Sequence, residues 1–364
     1  MIKSNDLTIR DFKVYNATSQ LAKPLADSTH TLTEISFIVL RLVLENGIVG
    51  ESYMLTFQYS PNAIAGALKD IKELVIGQQV NETRKLYQTL EQHHEYFGNQ
   101  GLLKWAQGAV NIAMWDAWGK YLNQPIWKLL GTCKEQIPIY GSGGWLSYSI
   151  DELIEEVSNY VDRSFKAVKI KVGSPRWQTD LERIKKVREA VGEKVDIMMD
   201  ANQGMQVADA IQLAKSVAHL NIYWFEEPVH HDNLAGYKMI KEQAGVSLAM
   251  GEREFSNKPL IELAALNALD IWQPDILRIG GVDEWRNSAA IAEAFHIRVL
   301  PHYYKDYDVP LLCTIPNGFG AESFDWVDPL IDTPMKVNNG FAVPHDKPGW
   351  GFNFLDEHLN EIKF

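Results

Sequence analysis

The chain is poor in cysteine, in long apolar runs and in basic charge, and each lack removes a class of protein. Only two cysteines occur among 364 residues, Cys133 and Cys313. They stand far apart and in no metal-type spacing, which excludes a disulfide scaffold and leaves two reduced thiols as the expectation. No apolar run reaches the ~20 residues needed to cross a bilayer, so no membrane partner is expected. Met1–Asp11 is polar and mixed in charge, unlike a secretory signal, and with the cysteine usage this points to a cytoplasmic location. Against 47 acidic residues there are 35 basic ones, a net charge of −12, and no long run of Lys or Arg. Such a chain repels phosphate backbones, so nucleic acid is not an expected partner. Low-complexity segments are absent too. The 46% apolar content can fill a sizeable core, which excludes a disordered chain.

What is present is ordered in two styles. Thr8–Asn16 and Ile35–Leu44 read as strands, with Asn46-Gly47 supplying the positive φ of a tight hairpin turn. Leu21–Leu32 lies between them as a loop with polar tips. From Pro61 to about Leu130 the period becomes helical, as in Ile64, Leu68, Ile71 and Val75, and Trp105–Leu122 carries Ala and Gly on one face, a sign of close packing. After Cys133 short apolar strands alternate with helices. Strands are expected at Ile137–Ser142, Ala167–Val172, Val195–Ala201, Ile222–Glu227, Ser247–Glu252, Leu269–Asp275, Arg298–His302 and Phe319–Ser323. Between them helices are expected, among them Asp151–Val161, Thr179–Val191, Val207–Val217, Pro259–Leu266 and Asp283–Phe295. Eight strands at this spacing fit a (β/α)8-type barrel. The rival, an open doubly wound sheet, lacks the GxGxxG expected after its first strands. The last segment, Trp326–Phe364, leaves the alternation and is rich in Gly, Pro and Asn. The division is therefore an α+β domain over residues 1–133, a barrel over 134–325 and a segment over 326–364 that packs back on the first domain.

Nearly every barrel strand from the second onward ends in an ionisable residue: Lys169 and Lys171, Asp200, Glu226, Glu252, Asp275, His302 and Glu322. The carboxyl ends of parallel barrel strands converge on one face, where active sites form. Asp200, Glu226 and Glu252 would close neighbouring strands. Three crowded carboxylates repel unless a cation neutralises them, and an all-oxygen ligand set without His or Cys favours Mg²⁺ over Zn²⁺. Lys169 and Lys171, two residues apart, point to one side of a strand. Burying two ammonium groups together should lower at least one pKa and make a usable base. Asp275 beside His302 would set the imidazole tautomer and give a second base across the pocket. Glu322 could bond a substrate oxygen, and Asn202 a substrate hydroxyl.

In order and wording these residues resemble the enolase superfamily, mandelate racemase subgroup. The matching words are Lys169-Ile-Lys171, Asp200-Ala-Asn202, Phe225-Glu226-Glu227-Pro228, Gly251-Glu252, Gln273-Pro274-Asp275, Pro301-His302 and the terminal Pro348-Gly349-Trp350-Gly351. The resemblance spans nearly the whole chain. It implies a modified (β/α)7β barrel with a capping domain completed by the C-terminal segment, and Mg²⁺ held by Asp200, Glu226 and Glu252. Lys171 and the His302–Asp275 pair would be the two bases that act on the proton α to a carboxylate, through an enediolate. Lys169 would contact the substrate carboxylate and Glu322 would donate to it. Closing loops would contribute Ser28, Thr29, His30 and Tyr53 to the substrate, and their polar character suits a polyhydroxylated acid. The implied activity is dehydration of an acid sugar, an aldonate or aldarate, to a 2-keto-3-deoxy acid by a homo-oligomer. A racemase or epimerase using the same bases, and a non-catalytic binding protein on this scaffold, are the alternatives.

Overall fold

The computed structural model describes residues 6–364, and residues 1–5, where the polar N-terminal stretch begins, lie outside them. Near the N-terminus, apolar residues alternate along Ile9–Ser19 so that one face is buried. This strand pairs antiparallel with Ile35–Leu44, which pairs with Val49–Phe57. The hairpin between the last two closes on Gly47 at φ 89°, a conformation that costs glycine little, while Asn46 accepts from the Ile48 N–H instead of taking a positive φ itself. Helices Pro61–Val75 and Leu102–Leu122 cover this sheet, and Thr83–His94 packs against both of them. The small residues of Leu102–Leu122 serve close contact: a Cβ on Gly108 would sit 2.6 Å from the Leu277 carbonyl oxygen of the barrel. The segment Leu21–Leu32 folds into a small hairpin, Leu25–Ala26 against Thr31–Leu32.

The second style of sequence folds as eight parallel strands: Ile137–Gly143, Ala167–Lys171, Asp196–Asp200, Ile222–Glu226, Leu248–Met250, Ile271–Trp272, Arg298–Val299 and Ala321–Ser323. The first pairs with the second and so on around to the seventh, and the eighth pairs in parallel with the first. A bridge from Val299 to Gly318 closes the ring. Helices follow the first seven strands, so this is a (β/α)7β barrel. The expected strands are all present; the second to seventh end earlier on their carboxyl sides, the first runs one residue further and the eighth keeps its expected end. Glu252, Asp275 and His302 stand just past the last paired residue, on turns rather than in the ladder.

Inside the ring Tyr140, Met198, Trp224, Ala249, Ile271 and Leu300 form one buried layer. Their strand neighbours Ile197, Phe225 and Met250 point the other way, into the helix-packed core. The apolar layer plugs the barrel, and the charged residues sit on top of it at the carboxyl ends. The C-terminal segment touches both parts. Phe341–Ala342 pairs with the first barrel strand, Asn360–Glu361 extends the N-terminal sheet beside Ile9–Ser19, and the Trp350 N–H donates to Asp116 of the Leu102–Leu122 helix. Among the described residues no helix is long and apolar enough to cross a membrane.

Candidate active site

Strand register builds the site. In the parallel ladder Lys171 stands beside Asp200, and Asp200 beside Glu226, so their side chains leave three neighbouring strands at one level. Lys169 lies one layer below, on the same side. All of these are buried. Lys171 donates to Asp200 Oδ2 at 2.5 Å, while Lys169 bridges Glu226 Oε1 at 2.8 Å and Glu322 Oε1 at 2.6 Å. The indole of Trp224 donates to Glu226 Oε2 at 3.1 Å.

The two lysines do not behave as the Lys-x-Lys pattern suggests. Burial would lower both pKa values, but Glu226 and Glu322 hold Lys169 well above its ordinary range, and Asp200 raises Lys171. Carboxylates outnumber the ammonium groups, so attraction outweighs lysine–lysine repulsion. The carboxylates divide accordingly. Burial and the nearby Asp200 charge push Glu226 up to about 7. Glu252 is pulled down in spite of burial by His302, Arg253 and Arg278. Among the described residues no three His, Cys, Asp or Glu side chains already form a metal cage, and lysine amines bond the oxygens of Asp200 and Glu226. The donor set still fits a hard divalent cation: three buried carboxylates from consecutive strands, one of them driven toward protonation by the others.

Across the mouth, Asp275 caps the short helix Ile276–Ile279, accepting from the Leu277 and Arg278 N–H groups with Oδ1. Its Oδ2 lies 3.1 Å from His302 Nδ1, and His302 Nε2 faces Glu252 Oε2 at 3.6 Å. Burial opposes the imidazolium, but Glu252, Asp275 and Glu322 outweigh it and raise the pKa. Glu322 accepts from the Ser142 hydroxyl and the Tyr303 N–H as well as from Lys169. Burial notwithstanding, Lys169 and His302 hold its pKa below the usual range, which favours the carboxylate form that accepts these bonds. The backbone is strained at the turns leaving the strands: Asn202, Glu227 and Tyr303 have φ of 41°, 35° and 67°. Such strain clusters at functional sites.

A cavity of about 220 Å³ opens over this ring and is roofed by the N-terminal domain. Lys171, Asn202, Glu252, Asp275, His302 and Glu322 line it, and so does His30. The other expected loop contacts do not. Ser28 donates to the Ala201 carbonyl at 2.5 Å, pinning the hairpin to the barrel, and Thr29 bonds Asp27 and His30 within its own turn. Tyr53 is core: it packs on Tyr304 and Tyr307, and its N–H donates to the Tyr307 hydroxyl. Lining residues that sequence reasoning passed over include Arg253, Arg278, Trp105 and Trp145. Arg253 was legible as the neighbour of Glu252. The tryptophans carried no signal, because an aromatic at helical spacing reads as core.

Comparison with known proteins agrees with this geometry. Residues 9–131 match the mandelate racemase / muconate lactonizing enzyme N-terminal domain, and residues 152–358 match the enolase C-terminal domain-like family. A 3,6-anhydro-alpha-L-galactonate cycloisomerase of Streptomyces coelicolor is 30% identical over 93% of this chain and 94% of its own. An L-talarate/galactarate dehydratase of Salmonella typhimurium is 27% identical over 92% of this chain and 85% of its own. Among solved structures, a Streptomyces coelicolor racemase with bound magnesium superposes with a TM-score of 0.91 at 28% identity, covering 95% of this chain and 97% of that one. Fold, site order and kinship converge: the chain belongs to the enolase superfamily, with the two-domain build of the mandelate racemase group.

Proposed function

We propose that this protein is a Mg²⁺-dependent acid-sugar dehydratase. The chain is that of an enzyme, and its relatives include dehydratases, cycloisomerases and epimerases. The observation that carries the reading is the pair of proton-handling groups facing each other over a carboxylate trio: Lys171 on the second strand and His302 with Asp275 past the seventh and sixth. Asp200, Glu226 and Glu252 would hold the metal, which supplies positive charge to stabilise an enediolate. Lys169, fixed between Glu226 and Glu322, would orient the substrate carboxylate.

The work of the chain's own groups follows. His302 would take the α proton, or Lys171 would once a cation held by Asp200 offsets the carboxylate charge that raises its pKa, according to the face of the α carbon that each meets. Asp275 holds Nδ1–H, so Nε2 is the nitrogen presented to the substrate. The raised pKa of His302 suits it to deliver a proton to the departing β-hydroxyl. The enol product then tautomerises to a 2-keto-3-deoxy acid.

One observation also favours a second reading. Bases on opposite sides can exchange protons without loss of water, as a racemase or epimerase requires. Incubation with Mg²⁺ and a library of acid sugars, read by a 2-keto-acid assay and by α-proton exchange in D2O, separates the two. Keto acid supports dehydration. Exchange or inversion without keto acid supports epimerisation and overturns the dehydratase.

A further inference from the structure

Two side chains that the catalytic ring does not use meet at the opposite end of the barrel. Cys133 and Cys313 are the chain's two cysteines and lie far apart in sequence, yet the fold brings them together. Cys313 follows the helix Lys305–Leu312, whose last carbonyls need donors from outside the helix. The Cys313 carbonyl takes two from the link between the domains, the Cys133 N–H at 2.7 Å and the Lys134 N–H at 3.0 Å. Bond lengths then hold the two Cα atoms within about 6.6 Å of each other. A disulfide spans Cα atoms roughly 4.4–6.8 Å apart, so the backbone already meets its reach.

The surroundings suit thiol chemistry. Both residues are free thiols, Cys133 exposed and Cys313 buried. Residues 131–136, which carry Cys133, form neither helix nor strand, so its side chain can turn without breaking a regular element. The Lys134 amine is anchored by the carbonyls of Pro316, at 3.0 Å, and Gly318, and its charge acts on both thiols. A fixed ammonium beside a thiol favours the thiolate. Burial pushes the Cys313 thiol up to about 12, against the pull of Lys134. The exposed Cys133 is therefore the sulfur that meets an oxidant first, and Cys313 the one held ready behind it. Cys133 precedes the first barrel strand, Ile137–Gly143, and Cys313 ends the helix that returns from the carboxyl face, so the pair lies away from the catalytic ring.

We propose that Cys133 and Cys313 are an oxidation site, at which a peroxide joins them in a disulfide tying the domain link to the end of the Lys305–Leu312 helix. The Cys133 thiolate attacks one oxygen of the peroxide. The O–O bond breaks, and the hydroxide that leaves takes up the thiol proton as water. Cys133 is then a sulfenic acid. Cys313 attacks the Cys133 sulfur, the S–O bond breaks, and the departing hydroxide takes the Cys313 proton. Two thiols and one hydrogen peroxide give one disulfide and two waters. Exchange with a dithiol reverses it. The proposal stands apart from the reaction assigned above. The loop that the bond closes exceeds ~100 residues, the range in which a disulfide constrains the unfolded chain most.

The test treats the reduced full-length protein with hydrogen peroxide and reads intact mass, thiols titrated in denaturant, and a peptide map. Both thiols should disappear, the mass should fall by two hydrogens, and the Cys133 and Cys313 peptides should be joined within one chain until dithiothreitol separates them. Oxygen added at Cys133 with Cys313 left as a thiol, links between chains only, or two intact thiols would each overturn the proposal. In Cys133→Ser, Cys313 should be consumed about ten-fold more slowly or not at all, and equal consumption also overturns it. Oxidation should raise the thermal midpoint of the native chain by about 5 °C or more and leave that of Cys133→Ser unmoved. A midpoint that falls or stays in the native chain counts against a bond that fits the native backbone, and so against the proposal.

Discussion

The barrel mouth and the roof above it face the same cavity and are built on opposite terms. At the mouth, charge is crowded: two lysines, four carboxylates, an imidazole and its aspartate lie within mutual reach, buried on an apolar plug. At the roof, Asp27, Thr56 and Tyr59 bond backbone groups of the N-terminal domain, and aliphatic and aromatic side chains line much of the surface between them. A charged ring on rigid strand ends suits chemistry that needs atoms held in place. A wall carried on hairpins and one helix suits selection, since it can vary without disturbing the ring.

The heaviest break falls on the mouth. Glu252→Gln should abolish turnover and weaken Mg²⁺ binding in calorimetry, and unchanged turnover would remove Glu252 from the site. Next, Lys171→Ala and His302→Asn should each lower kcat by about 10²–10⁴-fold, the range for a proton-transfer group. If only one of the two also loses α-proton exchange in D2O, that residue is the abstracting base. A smaller effect tests the join between the two regions. Gly108→Ala drives a methyl group against the Leu277 carbonyl and should cost about 1–3 kcal/mol of stability in denaturant titration, with the ring's chemistry intact in the folded fraction. The smallest touches the roof alone. Burial opposes ionisation of Asp27, yet its bonds to His30 and Thr29 and the Lys171 charge lower its pKa to about 2. The stabilisation it gives the hairpin is therefore present above the unfolded value near ~4 and is lost as pH falls toward 2. Protection of the Thr29 and His30 amides, corrected for the intrinsic exchange rate at each pH, should fall in that window and stay flat there in Asp27→Asn.

The two regions were also unequally legible. Strand period and ionisable ends marked the ring residue by residue, because a parallel barrel gathers strand ends by geometry alone. The protonation states were not legible. Lys-x-Lys looks like repulsion until Asp200, Glu226 and Glu322 are seen around it. The roof resisted because loop orientation is decided by tertiary contacts: Ser28 is turned away by one bond to the Ala201 carbonyl, and Tyr53 is drawn inward by Tyr304 and Tyr307. The helix Lys305–Leu312 is hardest of all to foresee. It is buried along its whole length although it begins Lys-Asp-Tyr-Asp and contains Pro310.

That helix begins three residues after His302, and the hydroxyls of Tyr304 and Tyr307 bond the N–H groups of Leu55 and Tyr53 on the strand that forms part of the roof. The imidazole and the roof are thus joined through backbone bonds, whereas Lys171 sits on a strand that pairs with barrel strands and meets the roof through the Asp27 charge. A substitution in the Val49–Phe57 strand will shift rate and selectivity together on the histidine side and leave the lysine side unmoved.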